Sequence, residues 1–292
     1  MTSQTVRAHR QTAAAWLAAE QPALIVEVVA IKGSTPREAG VRMLVGLSEV
    51  HGTIGGGHLE WQAIEQARQA LRETQGLNLA AWTADLALGP TLGQCCGGAL
   101  TLRFAPLNAA ELEAWMVPPA RFHLDLHGAG HVGQAIIRLL ADLDCTVRWI
   151  DERGDDSGPD APGLPSEAML ASLPPHITWL PTDAAEHEVP DAPPGACHLV
   201  LTHRHDLDLR IISAVLKKGD FHYAGMIGSK TKKAKFLHRL SEQGLSADTL
   251  ARMTCPIGIP GIEGKEPAVI AMAVVGQLLQ VCPPITSIHG HD

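Results

Sequence analysis

RFHLDLHGAGHVGQAIIRLLADLDCTVRWIDER, residues 121–153, decides the fold of the second half of this chain. FHLDLH reads as a buried strand, GAGHVG as a glycine turn, and the next residues carry the apolar spacing of a helix. CTVRWI then reads as a second strand that closes on an acid, Asp151. A strand, a turn, a helix and a second strand in that order make a βαβ unit, whose strands are parallel. Gly128 allows the tight turn, Gly130 lets a diphosphate approach the backbone, and Gly133 allows close packing of helix on strand. Asp151 stands where an acid binds a ribose hydroxyl in such folds. The expectation is a Rossmann-like domain with a mainly parallel sheet.

Working outward, DDSGPDAPGLPSEAMLASLPP is polar and proline-rich, so the next helix is expected to be short or distorted. ITWLPT, CHLVLTH and FHYAGMIG read as strands, DLDLRIISAVLKKG and TKKAKFLHRLSEQG as helices, and EPAVIAMAVVGQLLQV as a closing helix. Towards the amino end, TAAAWLAAEQ reads as a helix, ALIVEVVAIKG and VRMLVG as strands, and HLEWQAIEQARQALRE as a second helix. AAWTADL and ALTLRFAPL complete an α+β domain. The domains expected are 1–106, a short helix and proline-marked linker over 107–121, and the Rossmann-like domain over 122–292.

At 292 residues the chain is long enough for two cores. With 46% hydrophobic and 18% charged residues it has the composition of an ordinary globular protein. Six cysteines are too few for a disulfide scaffold, and no Cys-x-x-Cys pair suggests a zinc ribbon. The opening residues lack the apolar core of a signal peptide, and no run approaches the roughly 20 apolar residues of a membrane span. A cytoplasmic location is therefore expected, with no membrane partner. A net charge of −8 gives no electrostatic footprint for nucleic acid. Homodimerisation is expected on general grounds only.

Several shorter motifs carry chemistry. KGSTPREAG, residues 32–40, offers Ser34, Thr35 and Arg37 as donors to an anion, or serves as a plain strand connection. GTIGGGHLE, residues 52–60, is more specific. Gly55, Gly56 and Gly57 before a helix expose backbone N–H groups, the geometry that binds phosphate, and His58 and Glu60 can face the ligand from the first turn. THRHDLD, residues 202–208, lacks the register and final histidine of a hydrolytic metal motif, which leaves His203 as a ligand-facing residue at a strand's carboxyl end. In IGSKTKKAKF, residues 227–236, Gly228 and Ser229 resemble an anion turn beside Lys230, while the lysine run also fits a solvated helix face.

LGQCCGGALTL, residues 92–102, puts Cys95 and Cys96 in front of two glycines. Three readings stand open. A disulfide between neighbours closes a strained ring, and a buried pair is inert. A thiolate on a glycine loop is reactive or holds a metal if positive groups help it ionise.

Taken together, GSTPREAG, GTIGGGHLE, LGQCCGG, HGAGHVG, VLTHRHDLD and MIGSK, with CPIG and EPAVIAMAV after them, resemble the XdhC/CoxI family of xanthine dehydrogenase accessory proteins. The resemblance runs through both halves of the chain. It implies a carrier of molybdenum cofactor (a pterin phosphate whose dithiolene holds molybdenum) rather than a dehydrogenase. Such a carrier shelters the cofactor while a cysteine desulfurase supplies its terminal sulfido ligand, then delivers it to xanthine dehydrogenase. Cys96 matches the family's cysteine position, which implies a molybdenum contact, with Cys95 as a neighbour able to assist or substitute. The stretch GIPGIEGKEP departs from the family wording, so no role passes to Glu263 or Lys265.

The alternative reading is an NAD(P)-dependent oxidoreductase built on GAGHVG and Asp151. It lacks a hydride-transfer constellation, since the sole tyrosine, Tyr223, has no placed lysine partner in the sequence. Whether a nucleotide fills the Rossmann-like crevice is left open by the residues alone.

Overall fold

The computed structural model describes residues 2–33, 37–74, 79–87, 98–153 and 163–282. It divides into two compact units, Met1–Pro119 and Ala120–Asp292, each with its own core.

In the first unit α1 (Ser3–Ala18), capped by the Thr2 side chain, precedes β1 (Ala23–Lys32), β2 (Arg42–Gly46) and β3 (Val50–Gly52). Then follow α2 (Gly57–Thr74), β4 (Trp82–Ala87), β5 (Ala99–Pro106) and α3 (Ala109–Ala114). The strands form one antiparallel sheet in the order β3-β2-β1-β5-β4. Strand alternation sends Leu24, Val26 and Val28 to the face that α2 covers with Leu59, Ala63, Ala67 and Leu71. Ala23 and Ile25 go to the other face, against Val6, Ala13 and Trp16 of α1.

The segment 107–121 contains more than a connection. Asn108 caps α3, Arg103 forks onto Glu111, and Trp115 is buried with Val6 and Trp16. This stretch therefore packs into the first unit's core, and the unit runs on to Pro119.

The second unit holds β6 (Phe122–His127), α4 (His131–Leu140), β7 (Cys145–Asp151), α5 (Glu167–Ala171) and β8 (Ile177–Pro181). A 3₁₀ segment (Ala185–Asp191), β9 (Ala196–Val200), α6 (His205–Lys218), β10 (Phe221–Met226) and α7 (Lys230–Glu242) follow. The unit ends with α8 (Ala247–Ala251), β11 (Met253–Thr254) and α9 (Pro267–Val281). Its sheet is parallel throughout, in the order β11-β10-β9-β6-β7-β8. Renumbered within the unit this is 3-2-1-4-5-6, the order of the Rossmann fold, whose direction reverses between β6 and β9. The α5 helix is one short turn, as the proline-rich sequence before it predicts. One sheet face packs on α4 and α9 through Leu124, Leu126, Val147 and Trp149. The other packs on α6, α7 and the 3₁₀ segment through Ile150, Val200, Ala224 and Met226. The fold class is thus an α+β unit followed by a Rossmann-like one.

Candidate functional site

Ligands of open parallel sheets bind outside the carboxyl ends of the strands, where the strand order reverses. Here that place is the glycine turn after β6, and its three glycines do different things. Gly128 sits at φ +122° and its N–H donates to Ile150 O at 2.8 Å. A Cβ on it would lie 2.3 Å from Leu201 O, so the chain leaving β9 passes too close for any side chain. A Cβ on Gly133 would lie 2.2 Å from Gly128 O, which is the close approach of α4 to the turn. Gly130 is different. It has an ordinary φ of −67°, and among the described residues a Cβ there would meet nothing within 4 Å. It caps α4, whose first N–H groups receive no side-chain cap. An anion approaching this turn finds open backbone and the positive end of a ten-residue helix.

Asp151 does not stand ready for a ribose. Its Oδ2 accepts from Ala129 N at 2.6 Å and from Arg153 Nη2 at 2.8 Å; its Oδ1 accepts from Arg153 N and Nε. These bonds fill the roughly four acceptor positions of a carboxylate. Burial pushes its carboxyl up, but the hydrogen bonds from Arg153 and Ala129 outweigh this and hold it below the usual range. The acid expected to bind a sugar instead clamps the turn and anchors Arg153. The guanidinium, partly exposed at the β7 end, is held as the partner of this carboxylate.

His203 and the Gly228–Ser229 pair also lie at the carboxyl edge, after β9 and β10. His203 is exposed in the turn before α6. Ser229 caps α7 by accepting from Lys232 N at 3.2 Å, and Gly228 is crowded by the Lys232 chain and Cys255 Sγ. Lys232 does not reach outward. Its Nζ donates to Asp208 Oδ2 at 2.5 Å and to Ile227 O at 2.9 Å. Asp208 in turn accepts from Thr202 N and Oγ1, which ties the turn after β9 to the turn after β10. Lys230, at the start of α7, is exposed.

In the first unit Gly55, Gly56 and Gly57 have φ of +133°, +76° and +68°, so glycine is required for the turn. Sequence reasoning points its N–H groups at a phosphate. The structure gives two of them to Glu60, whose Oε2 accepts from Ile54 N at 2.9 Å and Gly56 N at 3.1 Å as well as from the Thr53 hydroxyl. Gly55 N donates to Thr53 Oγ1. Glu60 thus turns back into the loop as a built-in anion instead of facing a ligand. His58 is exposed, with its ring 5.2 Å from that of Trp61. Arg37 is exposed at the far end of the first loop. Ser34, Cys95 and Cys96 lie outside the described residues.

Replacing Glu60 by alanine strands the Ile54 and Gly56 donors and the Thr53 hydroxyl. The expected cost is about 1–3 kcal/mol, read as a lowered midpoint in urea unfolding of the full chain. Unchanged stability would mean that water replaces the carboxylate without penalty.

The family model described as the XdhC Rossmann domain matches residues 124–278. The model of the XdhC and CoxI family matches residues 16–79. The chain belongs to the XdhC and CoxI family. Its motifs at Arg37, Gly55 to Glu60, Gly128 to Gly133, Asp151, His203 and Gly228 fall within the two matched stretches, whereas Cys95 and Cys96 fall between them. An uncharacterized protein of Escherichia coli (strain K12), YqeB, is 29% identical over 266 residues. The alignment covers 89% of this chain but 43% of that protein, so the chain spans less than half the length of this curated relative. A crystal structure from Bacillus halodurans, described as a xanthine dehydrogenase, superposes with a TM-score of 0.70 at 15% identity, over 99% of this chain and 98% of that one. The likeness extends across both units of the fold.

Proposed function

We propose that this protein is an accessory factor of xanthine dehydrogenase maturation that binds molybdenum cofactor, shelters it during sulfuration by a cysteine desulfurase, and delivers it to the enzyme. Family membership across both units supports the reading of a carrier. The observation that carries the choice of ligand is the unequal state of the Rossmann crevice. The turn at Gly130 is open to a phosphate, but Asp151, the acid that would hold a nicotinamide nucleotide's ribose, is saturated by Arg153 and Ala129. A pterin phosphate needs the first feature and not the second. The same saturation argues against an NAD(P)-dependent oxidoreductase.

In this reading the phosphate rests at the α4 N-terminus beside Arg153. Cys96, with Cys95, is the thiolate that the family resemblance implies for a molybdenum contact, a soft donor suited to that metal. The protein moves a cofactor and catalyses no step of its own, acting in the cytoplasm as a homodimer.

The test is direct. Protein purified from cells with an active molybdenum cofactor pathway should carry molybdenum and pterin and no nicotinamide. The Cys95→Ala/Cys96→Ala double variant should lose most of that molybdenum while keeping its fold by circular dichroism. Loaded protein should restore activity to cofactor-free xanthine dehydrogenase faster than free cofactor at equal concentration. Equal rates, with equal sensitivity to oxygen, would remove the carrier reading, and bound nicotinamide in place of pterin would replace it.

A further inference from the structure

We infer that Asp125, His127 and His198 form a buried binding site for one divalent transition-metal ion of the borderline class that Zn²⁺ exemplifies, separate from the crevice. The sheet itself assembles the cluster. Asp125 pairs in register with His198 of β9, and His127 lies two residues further along β6, on the same face by strand alternation. Their ligand atoms all fall within 4.8 Å of one another.

All three side chains have no solvent exposure. They sit on the sheet face otherwise filled by Ile150, Val200 and the apolar side of α6, where a Rossmann sheet needs only hydrocarbon. Neither ring nitrogen of His127, and neither of His198, has a hydrogen-bond partner among the described residues. Buried polar groups are nearly always satisfied, so the orphaned imidazole nitrogens call for an occupant, and one nitrogen of each ring can ligate a single ion.

Asp125 is prepared for the same role. Arg148 Nε and His123 Nε2 bond its Oδ1 at 2.8 and 3.0 Å, and Arg148 Nη2 bonds its Oδ2 at 2.5 Å. That leaves about one of the carboxylate's four acceptor positions, on Oδ2. His198 Nδ1 stands 3.6 Å from this oxygen, too far for a hydrogen bond. It is close to the roughly 3.4 Å that separates two ligands of a tetrahedral ion with bonds of about 2.0–2.1 Å. Arg148, held also by Glu188 O at 2.9 Å, and His123 then act as the outer partners that orient a ligating carboxylate.

Two imidazoles and a carboxylate suit Zn²⁺, Co²⁺, Ni²⁺ or Fe²⁺. They do not suit Ca²⁺ or Mg²⁺, which take oxygen, or Cu⁺, which takes thiolate. With no exposed ligand the site is structural. It pins β6 to β9 at the point where the strand order reverses, one residue before Gly128.

The experiment uses the full chain produced in medium supplemented with zinc, and separately with cobalt, then dialysed. About one metal equivalent per chain should remain, and adding Zn²⁺ to stripped protein should raise its melting temperature. The cobalt form should show the strong visible bands of low-symmetry imidazole coordination. His127→Leu/His198→Leu, which returns the face to hydrocarbon, should lose both the metal and the zinc-dependent shift. His203→Ala/His205→Ala, which removes exposed histidines, should lose neither. Wild-type protein without retained metal would overturn the site whatever the variants do. So would retention equal in the His127/His198 variant, or loss confined to the His203/His205 variant.

Discussion

Gly128→Ala should destabilise the second unit by about 4 kcal/mol, a large part of the roughly 5–15 kcal/mol that holds a domain folded. Two costs add. An L-residue at φ +122° is strained by about 1–3 kcal/mol, and a methyl 2.3 Å from Leu201 O must push backbone apart. That carbonyl belongs to the chain leaving β9, whose Leu201 N–H is itself bonded to His127 O at 2.9 Å. The strands therefore cannot part without breaking their ladder. Gly130→Ala, two residues on, should shift stability by no more than about 1 kcal/mol, because its φ is ordinary and its Cβ would meet none of the described residues. Urea unfolding of the three proteins decides it. A Gly128→Ala midpoint equal to wild type would show that the turn can yield. The contrast has a use, since Gly130→Val then blocks approach to the α4 N-terminus without confounding stability. If a phosphate-bearing ligand uses that turn, Gly130→Val should weaken its binding in a protein that melts normally.

The Rossmann half was legible because its signal is local. A strand, a glycine turn, an amphipathic helix and a second strand follow within 33 residues, and each glycine's spacing has one geometric use. The family resemblance was legible for the same reason, its motifs being short and ordered. What the sequence could not show is where side chains already present spend their hydrogen bonds. Asp151 and Glu60 both occupy positions that suit a ligand contact. Arg153, two residues after Asp151, and the loop donors before Glu60 claim the carboxylates first. The nearby spacing of Asp151 and Arg153 was a signal that could have been read. The Asp125 cluster was hidden differently. His123, Asp125 and His127 alternate along FHLDLH, a polar stripe that a buried-strand reading passes over, and His198 reaches them only through the pairing of strands 73 residues apart.

The lysines of IGSKTKKAKF show the same limit, and they supply the second large effect. Sequence alone balances a solvated helix face against a phosphate contact at Lys230, which is exposed, whereas Lys232, two residues on, does neither. Its ammonium, one-tenth exposed, is held by the fully buried Asp208 and by Ile227 O. Lys232→Met keeps most of the hydrocarbon and removes the charge, which leaves the Asp208 carboxyl buried with only the Thr202 donors. Breaking one side of a buried pair costs about 3–5 kcal/mol, and that is the loss expected here. Lys232→Met/Asp208→Asn should recover part of it, because the asparagine is neutral and still accepts from Thr202 N and Oγ1. The double variant should then be more stable than the Lys232 single, a sign of coupling between contacting residues. Chemical denaturation of the single and double variants measures both values. Additive losses would place the cost in packing around α7 and not in the stranded charge. A Lys232→Met protein as stable as wild type would show that the buried pair adds no net stability.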